Sequence, residues 1–374
     1  MNLPNTKKMK IAFLLNHLNA GGAERVVVTL ANTLAGLGHE IAIILTKKTG
    51  SYLADVSPKV RILQPAGGRM LLAVFSLIPL LRREGFHCVI AGLDQPNVAL
   101  LLAKPFLDKR TKCVVTEHNH PILSERSVRG WMWWFTRRLK PILYPHADHI
   151  ITVNEASRRV LAEKFGCDIS NISTLHNPVD VAHVQAAARE ECIHSWLVER
   201  STPVLIAAGR LAPAKDYSLM LSAMARINKT RAVRLIILGE GGLRKELEKL
   251  RDELGLTDIV DMPGFVSNPF ALMARADCFI MSSHTEGLPT VMVEALASGA
   301  AVVSTDCPSG PREILEDGNF GRLVPVSDVV ALSDAILAQL DAPHDPSKSR
   351  QRAFAFAPEG VARRYEALIE KLES

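Results

Sequence analysis

Several functional classes can be set aside from what this chain does not contain. No stretch of its 374 residues reaches the roughly 18 uninterrupted apolar residues that a membrane-spanning helix needs. Cys88, Cys113, Cys167, Cys192, Cys278 and Cys307 stand far apart with no Cys-x-x-Cys pair, which argues against a zinc site or a disulfide framework and for reduced thiols in the cytoplasm. Asp-x-Asp is absent, and no cluster of metal-ligand residues takes its place, so no metal and no other cofactor is expected. The polar, basic start Met1–Lys10 runs into a strand-like Ile11–Leu15, too short for a signal-peptide core and lacking a cleavage site. No internal repeat or low-complexity segment breaks an ordinary globular composition.

The net charge of +5 conceals an asymmetry. Residues 1–180 hold 23 Lys and Arg against 13 Asp and Glu, whereas the remainder holds 21 against 26. A basic first half suggests an anionic partner. No nucleic-acid-binding module is recognisable, so an anionic membrane surface or a phosphorylated acceptor fits better.

Apolar strand-like runs alternate with helical patterns along nearly the whole chain. The expected strands are Lys10–Leu15, Ile41–Leu45, Val60–Leu63, Cys88–Ala91, Lys112–Thr116, His149–Val153 and Ile172–Leu175, then Val204–Gly209, Val233–Gly239, Ile259–Met262, Cys278–Met281, Ala301–Thr305 and Arg322–Val324. Repeated β–α units with continuous apolar strands imply an α/β protein whose parallel sheets are covered by helices on both faces. The polar stretch Asp180–Thr202 separates the two series, and two doubly wound, Rossmann-like domains, 1–185 and 186–374, are expected to face each other across a cleft. The Pro- and Ser-rich stretch Ala342–Ser349 reads as a loop before a last helix, Ala362–Leu372, expected to pack back towards the first domain.

Ligands of such sheets bind outside the carboxyl ends of the strands. The most informative segment there is Glu286-Gly287-Leu288-Pro289-Thr290, followed by Glu294 eight positions after Glu286. It follows the expected strand Cys278–Met281, and Pro289 stands where a helix would start. Glu286 then lies in the turn, Glu294 lies in the helix, and the amides of Gly287 and Leu288 lie at the positive helix end. Two carboxylates that accept from hydroxyls, beside amides that donate to an anion, suit a nucleotide sugar.

Other loops offer compatible groups. Arg210 and Lys215, in Gly209-Arg210-Leu211-Ala212-Pro213-Ala214-Lys215, are two cations able to balance a diphosphate. Gly239-Glu240-Gly241 is a loop where backbone can touch a ligand, and Gly21-Gly22 before Ala23-Glu24-Arg25 is another. His118, in Glu117-His118-Asn119, ends a strand and can donate to a sugar or phosphate oxygen. Each alone has a bland structural reading; their combination does not.

Taken together, Gly21-Gly22-Ala23-Glu24-Arg25, Glu117-His118, Asn177-Pro178-Val179-Asp180, Gly209-Arg210 with Lys215-Asp216, Gly239-Glu240-Gly241, and Glu286-Gly287-Leu288-Pro289 with Glu294 resemble the family-4 retaining glycosyltransferases of the GT-B fold over almost the full length. Within that family the chain is most similar to bacterial enzymes extending lipid-linked or lipopolysaccharide-type glycans, notably N-acetylgalactosaminyltransferases. The resemblance implies that Arg210 and Lys215 hold the donor diphosphate, that Glu286 with the Gly287 and Leu288 amides holds the transferred sugar, and that Glu294 grips the ribose. It places Phe265 and Val266 against the base, Gly239, Glu240, Gly241, Pro289 and Thr290 around the donor, and the Gly21-Gly22 loop with His118 at the reaction centre. Glu24, Asn119, Trp131, Trp133 and Trp134 are expected on the acceptor side. A non-transferring sugar-nucleotide epimerase, or a silent subunit that binds nucleotide sugars or lipid glycans, are the alternatives.

Two segments bear on membranes. Arg69–Arg83 is apolar with basic ends and is broken by Pro79; it reads as a packed core helix ahead of a membrane segment. Arg126–Lys140 holds Trp131, Trp133 and Trp134, three of the chain's four Trp, among five Arg and Lys, and reads as an interfacial segment. The expectation is a cytoplasmic enzyme, peripheral on the cytoplasmic face of the inner membrane.

Overall fold

The computed structural model describes residues 7–19, 21–66, 74–118, 131–192 and 194–374, with the side chains of 131–133 excepted. The first sheet comprises β1 (Lys10–Leu15), β2 (Glu40–Leu45), β3 (Arg61–Leu63), β4 (Cys88–Gly92), β5 (Lys112–Glu117), β6 (His149–Thr152) and β7 (Ile172–Thr174). Its order is β3-β2-β1-β4-β5-β6-β7, and every pairing is parallel. The second comprises β8 (Val204–Ala208), β9 (Arg234–Leu238), β10 (Val260–Gly264), β11 (Cys278–Met281), β12 (Val302–Thr305) and β13 (Arg322–Val324). Its order is β10-β9-β8-β11-β12-β13, again wholly parallel.

The apolar runs become strands because both faces of each sheet are covered. In β1 alternate residues serve different cores: Ile11, Phe13 and Leu15 pack with helix Gly22–Gly36, while Ala12 and Leu14 pack with helices Val74–Glu84 and Asp94–Ala103. In each sheet the strand order reverses once, between β1 and β4 and between β8 and β11. Those reversals leave a crevice at the carboxyl ends of the strands.

The chain divides into one unit of Met1–Pro178 with Pro358–Ser374, and another of Val179–Ala357. The division falls before the expected 185/186 because helix Val181–Ala187 packs on helix Thr290–Ser298 of the second unit. Val179 also donates its N–H to the Phe356 carbonyl at 2.9 Å. The chain then returns to the first unit: helix Pro358–Glu373 buries Val361, Ala362, Tyr365 and Ile369 beside helix Gly22–Gly36. There His39 Nε2 lies 2.7 Å from Glu366, with both side chains buried.

One expectation changes in detail, and a second is met. The stretch Ala342–Ser349 is not all loop, because helix Pro346–Ala353 begins within it, with Asp345 accepting from the Ser347 N–H at 2.9 Å and Pro346 at the first helical turn. The described part of the Arg69–Arg83 segment is a core helix, Val74–Glu84, whose Val74, Leu77, Leu80 and Leu81 are buried. Among the described residues no helix is long and apolar enough to cross a membrane. All six cysteines are buried and free.

Candidate active site

At the reversal point of the second sheet, the turns after β8 and β11 are joined side by side. Lys215 Nζ and Ser283 Oγ both donate to Glu286 Oε1, each at 2.6 Å. Ser282 Oγ donates to the Lys215 carbonyl at 2.9 Å, the His284 N–H donates to the Ala214 carbonyl at 2.9 Å, and His284 Nε2 lies 2.9 Å from Asp216. Glu286 is largely screened from solvent and Lys215 less so, their side chains being 10% and 23% exposed. Arg210, on the same edge, is exposed and forms no ion pair with another described residue.

The turn 286–288 rests on the backbone of the β12 loop. Ser309 Oγ donates to the Glu286 carbonyl, and Gly310 holds φ 93°, where an added Cβ would stand 2.7 Å from the Gly287 carbonyl oxygen. Pro289 is the cap residue of helix Thr290–Ser298, so the Gly287 and Leu288 amides lie at its positive end. Leu288 is buried, and so is Glu294, in the second turn of that helix. Phe265, just beyond β10, is 83% exposed beside a half-buried Val266.

The Gly239-Glu240-Gly241 loop is held against its neighbours through its backbone. The Gly239 amide donates to the Gly264 carbonyl at 2.8 Å, and the Glu240 carbonyl accepts from the Leu211 N–H at 2.9 Å, so this backbone is engaged within the fold. A Cβ at Gly239, where φ is 128°, would lie 2.1 Å from the Gly209 carbonyl oxygen, and one at Gly241 would lie 2.3 Å from that of Leu211. These two glycines let two loops touch backbone to backbone. The Glu240 carboxylate pairs with Arg244, which also donates to Glu248 at 2.8 Å. Among the described residues, no group of three or more His, Cys, Asp and Glu is placed to hold a metal ion.

The carboxyl edge of the first sheet gathers the other candidates. Gly21 caps helix Gly22–Gly36, and the buried Glu24 folds back over it, with His17 Nδ1 3.7 Å away. His118, one residue past β5, is buried against Gly92 at the end of β4, where an added Cβ would lie 3.3 Å from its Nε2. Leu93 holds φ 75°, a region that non-glycine residues rarely occupy and that clusters at functional sites. Burial pushes the His118 imidazole down to about 4; Asn177 stands near enough to offset part of that shift without reaching hydrogen-bond geometry to either ring nitrogen. The buried Glu117 carboxylate accepts from Lys140 at 2.8 Å and from the Tyr144 hydroxyl at 3.1 Å. Burial pushes Glu117 up to about 6, against the pull of Lys140. Burial also works against the Lys140 ammonium, but Glu117, Tyr144 and Asp94 hold it well above its usual range. Asn119 lies outside the described residues, as do the side chains of Trp131 and Trp133, although both tryptophans belong to helix Trp131–Leu143. Trp134 is 56% exposed on that helix.

Residues 20–183 match the family described as Glycosyltransferase Family 4, and residues 189–356 match Glycosyl transferases group 1. A Campylobacter jejuni subsp. jejuni protein, N-acetylgalactosamine-N,N'-diacetylbacillosaminyl-diphospho-undecaprenol 4-alpha-N-acetylgalactosaminyltransferase, is 30% identical over 362 residues, covering 92% of this chain and 95% of its own. The chain belongs to the family-4 glycosyltransferases. A second protein of that organism, GalNAc-alpha-(1->4)-GalNAc-alpha-(1->3)-diNAcBac-PP-undecaprenol alpha-1,4-N-acetyl-D-galactosaminyltransferase, is 31% identical to the transferase over 336 residues, 87% of each chain. Among solved structures, Anabaena HepE in complex with UDP superposes on the transferase with a TM-score of 0.81, at 20% identity, over 97% of this chain and 100% of HepE. Sucrose-phosphate synthase from Thermosynechococcus elongatus gives 0.79 at 18% identity, over 98% and 99%. The shared architecture is the GT-B fold.

Several residues that shape the transferase's two edges carry only weak signals in its sequence. Ser283 precedes Glu286 by three residues, and Ser309 reaches the same turn from another loop. Glu240, Arg244 and Glu248 follow the i, i+4 spacing of paired charges on a helix, which could have revealed the role of Arg244. Lys140 shares a helical stripe with Thr136 and Tyr144, a spacing that marks it as inward-facing.

Proposed function

We propose that the transferase moves a sugar, with retention at the anomeric carbon and without a metal ion, from a nucleoside-diphosphate donor to a hydroxyl of a lipid-linked glycan. A UDP-sugar, in particular a UDP-N-acetylhexosamine, is the proposed donor. The observation that carries this reading is the convergence of Arg210, Lys215 and Glu286 with the start of the Glu294 helix on one sheet edge. The names of the Campylobacter relatives, which specify diphospho-undecaprenol-linked acceptors, and the UDP complex of HepE support the choice of substrates.

In this reading Arg210 and Lys215 bind the diphosphate, Glu286 accepts from sugar hydroxyls, and Glu294 accepts from the ribose. The C1–O bond to the diphosphate breaks while the acceptor oxygen bonds to C1 from the same face. The departing phosphate oxygen takes the acceptor's proton, and the two cations carry the charge that develops there. Glu286 competes with the diphosphate for Lys215, so donor binding redistributes that ammonium between them. On the carboxyl edge of the first sheet His118, neutral at physiological pH, can share a hydrogen bond with the acceptor.

The exposed Trp134, Phe135 and Ile142, interleaved with exposed Arg137 and Arg138, support peripheral attachment to the anionic cytoplasmic face of a membrane. Incubating the purified chain with UDP-N-acetylgalactosamine and an undecaprenyl-diphosphate-linked glycan tests the reading. Mass spectrometry should find one added N-acetylhexosamine, NMR should find an α linkage, and UDP should appear only with acceptor present. Donor conversion without transfer would favour the epimerase class, and inertness toward a panel of donors and acceptors would favour a silent binding subunit.

A further inference from the structure

Helix Trp131–Leu143 has two differently built faces. On the inner side Thr136 and Lys140, continued by Tyr144, follow one another at a spacing of one turn, and all three are buried. On the outer side Trp134, Phe135 and Ile142 are exposed, and the Arg138 guanidinium stacks 5.0 Å from the Trp134 ring. An ammonium as enclosed as that of Lys140, 3% exposed, is costly unless it is paired. Its partners are Glu117 at 2.8 Å and Asp94 at 2.7 Å, and neither lies on this helix.

The positions of those partners give the pairing its meaning. Glu117 is the last residue of β5 and immediately precedes His118. Asp94 opens the helix that follows β4, two residues after Gly92, on which the His118 ring rests. A single cation therefore joins the helix to both chain segments that hold His118. Tyr144 donates to Glu117, and Asn97 donates to the Tyr144 oxygen at 2.9 Å and to the Thr116 carbonyl at 3.0 Å, which completes a buried network around the end of β5.

Building on the membrane reading above, we propose that Lys140 is a positioning residue that couples the exposed face of this helix to His118, so that docking on an anionic bilayer adjusts the acceptor edge. The route is short. A tilt or rotation of the helix displaces the ammonium, and because an unpaired charge cannot remain in the core, Glu117 and Asp94 move with it. His118 responds because it is one bond along the chain from Glu117 and because neither ring nitrogen is anchored by a hydrogen bond among the described residues. Pro141, next to Lys140, lacks the N–H of its turn and weakens the helix at that point.

The test is an NMR titration of the full-length protein carrying 13C-labelled histidine rings, with the His118 signal assigned by its loss in His118→Gln. Bicelles of phosphatidylcholine, with or without phosphatidylglycerol, are the probe. In the wild type the phosphatidylglycerol bicelles should shift the His118 signal. In Lys140→Met they should still bind, by co-sedimentation, but the shift should be lost, and Lys140→Arg should restore it. If Lys140→Met does not fold, the double variant with Glu117→Gln removes both buried charges and should likewise bind without the shift. Binding with an unchanged His118 shift in the Met variant or the double variant would overturn the coupling and leave the membrane reading intact. A wild type that ignores both kinds of bicelle would overturn both.

Discussion

Lys215 Nζ donates to Glu286 Oε1 across 2.6 Å, so the cation read as a diphosphate ligand and the carboxylate read as a sugar ligand are direct partners. Arg210 has no such partner among the described residues and stands exposed on the same edge. If these two cations stabilise the leaving group, activity should persist in excess chelator. Arg210→Ala and Lys215→Ala should each lower turnover by about 10²-fold, the scale for removing one preorganised donor to developing charge. Strict dependence on added magnesium or manganese would contradict this assignment.

The two glutamates should separate in binding experiments. Glu294 is buried in a helix whose start carries the Gly287 and Leu288 amides, whereas Glu286 sits in the turn beside Lys215. Glu294→Ala should therefore weaken UDP binding measured by calorimetry. Glu286→Gln should leave that affinity unchanged or slightly raised, because it releases Lys215, while transfer falls. Equal losses of UDP affinity in both variants would show that the roles are misassigned.

A structural prediction concerns the loops beneath the donor edge. An alanine at Gly239 would place its Cβ 2.1 Å from the Gly209 carbonyl oxygen, at a φ of 128° that L-residues rarely adopt. Backbone must move to make room, so Gly239→Ala should cost about 2 kcal/mol or more of unfolding free energy in a denaturant titration. Gly242→Ala, where a Cβ meets nothing within 4 Å, is the control and should stay near wild type.

Much of this architecture was legible in the sequence. The strands of the described residues lie where the apolar runs put them, and Lys10–Leu15, Cys278–Met281 and Arg322–Val324 share both ends with the observed elements, because runs buried on both faces of a parallel sheet are uninterrupted. The division after Pro178 is not legible in the sequence, because a short polar helix, Val181–Ala187, carries no local mark of the unit it packs on. Helix Pro346–Ala353 starts inside the stretch Ala342–Ser349, where Pro and Ser look like breakers although Asp345 and Pro346 together form a helix start. In the site, the spacing of Glu286 and Glu294 was readable because one turn and one helix fix it. The pairing of Lys215 with Glu286, 71 residues apart, and of Lys140 with Glu117 was not, since only tertiary folding brings those charges together.

Membrane attachment should depend on the outer face of helix Trp131–Leu143. Trp134 and Ile142 are 56% and 62% exposed, so Trp134→Ser with Ile142→Ser should leave folding and UDP binding intact while reducing sedimentation with phosphatidylglycerol liposomes. Each exposed Arg near an anionic surface contributes about 1 kcal/mol that salt screens, whereas the apolar contribution is insensitive to salt. Moderate salt should accordingly weaken wild-type binding without abolishing it. Loss of UDP binding in the double variant would mean that the substitutions damage more than an outer face.

The buried His118 should leave a signature in the pH dependence of stability. Burial holds its imidazole near 4, against an ordinary value of 6.5, so between those limits the unfolded chain takes up a proton that the folded protein does not. Stability therefore falls as pH drops through that window and is unaffected by this ring above it. For a fully buried group the full contribution is about 3 kcal/mol. Glu117 acts in the opposite sense: burial pushes it up to about 6, so the folded protein protonates it first as pH falls and gains stability on that account. His149, also pushed down to about 4 by burial, adds to the acid loss. The informative quantity is thus the difference between wild type and His118→Phe, measured by denaturant unfolding at pH 7 and again near pH 5. The gap between the two proteins should shift in favour of the variant at the lower pH, because phenylalanine has no proton to take up. A gap that stays constant across the window would mean that the folded protein protonates His118 as readily as the unfolded chain, and that the ring is open to water.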